Sequence, residues 1–251
     1  MKYNAPAAAS SSLCVGYNSR FPGHLFPMNI LALDTSTDFC SAALWRDGQV
    51  VERGASAGQS HSSLLMSMID EVLAEGGLSL GAIDGLAFGE GPGSFTGLRI
   101  ACAVTQGLAF SSDLPVAGIG TLHAMAAACS APRVLCCLDA RMQEVYHAAY
   151  SLDEKGLWRE VSAPRVCAPL EIPVADGGGW TGCGSGFAVY GAALQERLGP
   201  SLCAVRQDIF PHARDIAALA APVFAAGRGL PAEQAAPIYI RDKVALKTAE
   251  R

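Results

Sequence analysis

Apolar positions along the chain fall into short strand-length runs separated by longer stretches with helical spacing, and that alternation predicts an α/β protein with a mixed sheet. Residues 29–33 form an apolar run that ends in Asp34-Thr35-Ser36-Thr37. Two β-compatible runs follow at 40–45 and 49–54, and Asp47-Gly48 between them is a hairpin signal. Between residues 59 and 76, Leu64, Leu65, Met68, Ile69, Val72 and Leu73 recur at the spacing of one helical face, with Ser60 as a candidate cap and Gly76-Gly77 as a stop. A strand over 84–89 then runs into a glycine loop and a small-residue helix reaching about Ser111. A further strand is predicted over 115–120 and a helix, capped by Thr121, through Cys129.

Ala131-Pro132 reads as a boundary, and beyond it the opening theme repeats. A strand over 134–138 ends in Asp139, as the first strand ends in Asp34, and a second strand over 144–152 follows a tight turn. Gly177-Gly178-Gly179 is a surface turn, 180–183 a strand, and 188–198 and 215–226 are helices. The chain closes on an extended segment over 237–243. Residues 1–27 are rich in Ala, Ser, Pro, Asn and Gly and lack an apolar secretory core, so they read as a disordered tail or an upstream-start extension before Met28. The expected organisation is a first lobe over 28–130 and a second over 131–251.

Composition adds a question. Of the 251 residues 51% are hydrophobic and only 16% charged, against about 25% charged in an average soluble domain. A net charge of -5 supplies no basic footprint for tight autonomous nucleic-acid binding. Mean hydropathy is +0.27, yet the uncharged stretch 114–132 holds Pro115, Gly118, Gly120 and His123 and does not suit a bilayer span. Nine cysteines without a C-x-x-C pair suggest neither a disulfide framework nor a zinc ribbon, and they fit a reducing cytoplasm.

Three segments carry candidate chemistry. The Asp34-to-Thr37 corner is either a turn whose aspartate satisfies local backbone donors or a phosphate-binding lip with Ser36 where actin-like ATPases carry glycine. Gly91-Pro92-Gly93-Ser94-Phe95-Thr96-Gly97 puts glycines and hydroxyls before a helix, where free N–H groups can hold an anion, but it is neither a Walker A loop nor a dinucleotide fingerprint. Its alternative is a tight turn with Ser94 or Thr96 as cap. Asp139-Ala140-Arg141 stands where such ATPases have a second phosphate turn but lacks the glycines, so Arg141 and Glu144 fit better as hairpin pins or an ion pair. None of the five histidines is paired at i, i+4, so no metal site is expected. The helices around 60–73 and 100–112 carry few charges, which points to faces buried all round or covered by a partner.

Five strings together resemble the TsaB (YeaZ) family: Asn29 to Thr37, the Gln-Ser-His-Ser helix start at 59–62, Gly-Glu-Gly-Pro-Gly-Ser-Phe-Thr-Gly-Leu-Arg-Ile at 89–100, Asp-Ala-Arg at 139–141 and Pro-Ile-Tyr-Ile-Arg at 237–241. The resemblance covers about 28–243. It implies an actin-like, two-lobed fold with decayed ATP machinery, acting as a non-catalytic partner of TsaD, which transfers the threonylcarbamoyl group to N6 of adenosine 37 in tRNAs that read codons beginning with A. ATP and metal then belong to TsaD and to the ATPase TsaE. No cofactor is expected to be held tightly by this chain, and tRNA would be met through the complex. First-lobe helices would form the partner face, through Leu64, Leu65, Met68, Ile69, Val72, Leu98, Ala101, Cys102 and Thr105. Homodimerisation through the same helices is expected when TsaD is absent. Asp34, Ser36, Gly91, Gly93, Ser94 and Thr96 would form a vestigial or composite nucleotide site. The rival expectation is a self-sufficient actin-like phosphotransferase or a glycopeptidase-like hydrolase.

Overall fold

The computed structural model describes residues 28–241 except Gln59, so the tail expected over 1–27 and the end of the chain after Arg241 lie outside the described residues. Two five-stranded sheets form the frame. In the first, β1 (Asn29–Asp34), β2 (Phe39–Arg46) and β3 (Gln49–Ser56) are an antiparallel meander, and β4 (Gly85–Gly91) and β5 (Val116–Gly120) run parallel to β1 on its other side. In the second, β6 (Arg133–Asp139), β7 (Val145–Leu152) and β8 (Trp158–Cys167) are the meander, and β9 (Trp180–Cys183) and β10 (Leu202–Arg206) are the parallel additions. Strand orders β3-β2-β1-β4-β5 and β8-β7-β6-β9-β10 therefore repeat one topology, with Asp34 and Asp139 at matching strand ends.

β1 is buried on both faces, which explains its unbroken apolar run. Leu31 and Leu33 belong to the core shared with α1 (His61–Gly76) and α2 (Phe95–Ser112). Ile30 and Ala32 look the other way, toward Ala124 of α3 (Thr121–Cys129) and the alanine-rich face of a helix at Ala213–Ala225. α3 turns its remaining side, through Leu122, Met125 and Cys129, onto the second sheet. That sheet's opposite face is covered by α4 (Ser185–Leu198), and the 213–225 helix is α5.

The expected split at residue 130 needs correction. α5 follows the second sheet in sequence yet completes the first, with Ala213, Ile216, Ala217, Ala220 and Ala221 in one core with β1, β2, β4 and β5. Its start is tied down by the Ala213 N–H donating to Ser41 Oγ at 2.9 Å and by Arg214 Nη1 to Glu52 Oε2 at 3.0 Å. Strands β8 and β10, absent from the sequence-based expectation, are the edges of the second sheet. Of the candidate caps, Ser94 does accept from the Gly97 N–H at 3.3 Å, whereas Ser60 makes no side-chain cap and Gly120, not Thr121, occupies the cap position of α3. No described helix is long and apolar enough to cross a membrane.

Candidate functional site

The Asp34 corner and the glycine loop are pressed together. The Thr35 hydroxyl donates to Gly97 O at 2.6 Å, and the Ser94 N–H donates to Ser36 O at 2.8 Å. A Cβ on Gly93 would stand 2.3 Å from Ser36 O, and one on Gly97 1.8 Å from Thr35 O, so both positions must be glycine for the loop to lie on the corner. The motif that suggested a phosphate cradle is here a seal between strand and helix.

Asp34 is fully buried beneath that seal. Its Oδ1 accepts from the Ser36 N–H at 3.1 Å and the Ser36 hydroxyl at 2.9 Å, while Oδ2 lies against the Cα of Gly89 without a partner among the described residues. Burial pushes the carboxyl up to about 7, opposed by the Ser36 hydrogen bonds and by His212. Such a group is not open to a ligand in front of the corner, because its free oxygen faces backbone and not solvent.

In front of the seal, between the lobes, lies a cleft of about 630 Å³. Four of the six expected nucleotide-site residues line it: Ser36, Gly93, Ser94 and Thr96. Asp34 and Gly91 do not; Gly91 (φ +121°) is buried under the Ile238 carbonyl, which a Cβ there would approach to 2.6 Å.

The opposite wall is the turn after β6. Asp139 Oδ1 accepts from the Arg141 N–H at 2.8 Å and the Tyr190 hydroxyl at 3.1 Å, and Oδ2 pairs with Arg141 Nη1 at 3.0 Å. Arg141, Met142 and Gln143 all have left-handed backbones (φ 62°, 53° and 62°). Outside glycine that region costs roughly 1 kcal/mol or more per residue, so the turn holds only because its surroundings fix it. Arg141 and Glu144 do not pair with each other: Arg141 pairs with Asp139 inside the turn, and Glu144 pairs with Arg241 outside the hairpin. Sequence reasoning missed Tyr239 and Arg241 as residues lining the cleft, although both sit in a string already singled out. Tyr239 stands 5.4 Å from Phe95 across the cleft mouth.

The expected partner face also needs correction. Leu65, Met68, Ile69, Val72, Leu98, Ala101, Cys102 and Thr105 are buried within the chain, and Leu64 packs against the same core. They form the inner stripes of α1 and α2. The outer stripe of α2 consists of Thr96, Arg99, Ala103, Gly107 and Phe110, the last 81% exposed, and Met66 is the exposed large apolar side chain of α1. Among the described residues, no three His, Cys, Asp or Glu side chains converge as metal ligands would.

Residues 54–248 match the family model for TsaD, tRNA N6-adenosine threonylcarbamoyltransferase. The chain is also 38% identical to the tRNA threonylcarbamoyladenosine biosynthesis protein TsaB of Escherichia coli, over 88% of this chain and 97% of the relative. The chain belongs to the TsaB group of this family. A TsaB of Haemophilus influenzae is 37% identical over 88% of this chain and 96% of its own length. Among solved structures, YeaZ from Pseudomonas aeruginosa superposes with a TM-score of 0.77 at 37% identity, covering 84% of this chain and 99% of that one. The actin-like architecture expected from the TsaB resemblance is thereby the observed one, with two mixed sheets flanked by helices.

Proposed function

We propose that this chain is a non-catalytic subunit in the biosynthesis of threonylcarbamoyladenosine in tRNA, and that it binds and activates TsaD for threonylcarbamoyl transfer to N6 of adenosine 37 in tRNAs reading codons that begin with A. The observation that carries the reading is α2. Its outer stripe has one charge in five residues, presents Ala103 and Gly107 as a low surface, and ends on an almost fully exposed Phe110. A low apolar stripe flanked by an aromatic anchor suits a facing helix of a protein partner. The TsaB names of its relatives supply the pathway. The sealed Asp34 corner argues against a self-sufficient ATP phosphotransferase or hydrolase, since catalysis there would need a carboxylate open to metal or substrate. ATP and metal are assigned to TsaD and TsaE, tRNA is met through the complex, and the setting is the cytoplasm.

Co-purification with TsaD and TsaE tests the reading. Phe110→Glu and Ala103→Glu should leave the fold intact and abolish the complex, because each places a charge in an apolar contact. Met68→Glu is a poor probe of the interface, since it buries a charge in the core and unfolds the chain. Retention of TsaD by both outer-stripe variants would overturn the assignment, as would tight ATP binding by the isolated protein or ATP hydrolysis that is lost in Asp34→Ala. In the absence of TsaD the same stripe is expected to pair two copies, which the outer-stripe variants should convert to monomers.

A further inference from the structure

Residues 235–241 cross the mouth of the cleft from one lobe to the other. On the first lobe, Ala235 O accepts from Gln106 Nε2 at 2.8 Å, and the Ile238 N–H donates to Glu90 O at 2.7 Å. The Tyr239 hydroxyl accepts from Arg99 Nε at 2.9 Å, and the Arg99 guanidinium lies 3.8 Å from the centre of the Phe95 ring. On the second lobe, Arg241 pairs with Glu144 and lies 3.5 Å from both the Arg141 carbonyl and Met142 Sδ. One seven-residue strap therefore holds the start of α2 at one end and the left-handed 141–143 turn at the other.

Arg99 belongs to two structures at once. It sits on the outer stripe of α2 with Ala103, Gly107 and Phe110, and it also anchors Tyr239 of the strap. A protein seated on that stripe takes Arg99 and the exposed edge of Phe95 out of water. Excluding water strengthens a guanidinium stacked on an aromatic ring and its hydrogen bond to a phenol oxygen. The effect runs along the strap, because Arg241 can stay on Glu144 and the strained turn only while the strap is in place.

We propose that the strap couples docking on α2 to the setting of the interlobe cleft: a partner on α2 clamps the strap, and a clamped strap raises the affinity for the partner. Both halves rest on the reading of α2 as the partner face, while the link from Arg99 through the strap to the 141–143 turn does not. Reciprocity between the two follows from linkage.

Two measurements on the full chain test the proposal separately. In the free protein, Arg99→Gln should speed hydrogen exchange at the Glu144 N–H, which donates to Arg141 O at 3.0 Å on the far lobe. With TsaD, exchange at the Ile238 and Glu144 amides should slow in the wild type, and Arg241→Gln should weaken TsaD binding about fivefold or more although it lies off the helix. Glu144→Gln removes the same pair from its other side and should reproduce that loss if Arg241→Gln folds poorly. Unchanged Glu144 exchange in Arg99→Gln would overturn the coupling, and so would unchanged TsaD affinity in both far-lobe variants. If wild-type protein fails to bind TsaD at all, the partner reading falls, and the free-protein exchange result still decides whether strap and turn are coupled.

Discussion

Asp34 combines complete burial, two hydrogen bonds on one oxygen and none on the other. Because burial raises its carboxyl from 3.8 to about 7, the folded state binds more protons than the unfolded state between those values, and stability contributed by the group falls as pH rises through that window. Asp215, raised to about 6 by burial, acts in the same direction. His123 and His147, held neutral down to about 4 by burial, act in the opposite one, since the unfolded state gains their protons first. The variant difference isolates the aspartate. Asp34→Asn should match the wild type in urea unfolding near pH 5 and exceed it near pH 8 by on the order of 1–3 kcal/mol. An equal offset at both pH values would show that the side chain is ionised in the fold. Gly97 makes the matching backbone case: Gly97→Ala drives a methyl into the Thr35 carbonyl, and a loss of more than about 3 kcal/mol is expected by urea denaturation, because backbone on both sides must shift.

At the scale of elements, α2 separates what packs from what presents. Its inner stripe was legible in the sequence as apolar spacing, and for that reason its residues were mistaken for a partner face: the most apolar positions of a helix face the sheet. The outer stripe carried a quieter signal, small residues and one phenylalanine where charges would be usual. Gly107 has open space around its missing Cβ, so Gly107→Ala should stabilise the isolated protein by about 0.5–1 kcal/mol through helix propensity. The same substitution should weaken TsaD capture if the partner backbone approaches there, and calorimetric unfolding beside a pull-down reads both. Strands followed a similar rule. β1 and β6 were readable because burial makes their runs almost wholly apolar, whereas β10 is exposed along most of its length and β8 carries Arg159, Glu160, Pro164 and Arg165. Edge strands do not need an apolar signature, so none was there to read. The glycine loop was found from sequence, but its purpose was not, because a glycine required for contact with a carbonyl looks the same as one that leaves room for a phosphate.

For the molecule as a whole, the decisive fact is that the chain visits the first sheet twice. A boundary near Pro132 was the natural reading of a repeated strand-and-aspartate theme, and the repeat is real in the topology. Local spacing cannot reveal that α5, some 80 residues later by sequence number, returns to cover Ile30, Ala32, Ala43, Trp45 and Ala87. A fragment of residues 28–130 would expose that face, and burying each large apolar side chain is worth about 1.5–3 kcal/mol against a total stability of roughly 5–15 kcal/mol for a domain. It would also leave Ser41 and Glu52 without the α5 groups they hold. The fragment should therefore show no cooperative urea transition and should bind a hydrophobic dye, while residues 28–241 unfold cooperatively. Adding a peptide of residues 207–241 to the fragment should restore a transition and quench the dye, because it returns α5 and the strap together. A sharp, reversible transition in the fragment alone would mean that the first lobe stands without its returning helix. The strap would then be an accessory to a finished lobe, held to it by Gln106, Glu90 and Arg99 rather than needed to complete it.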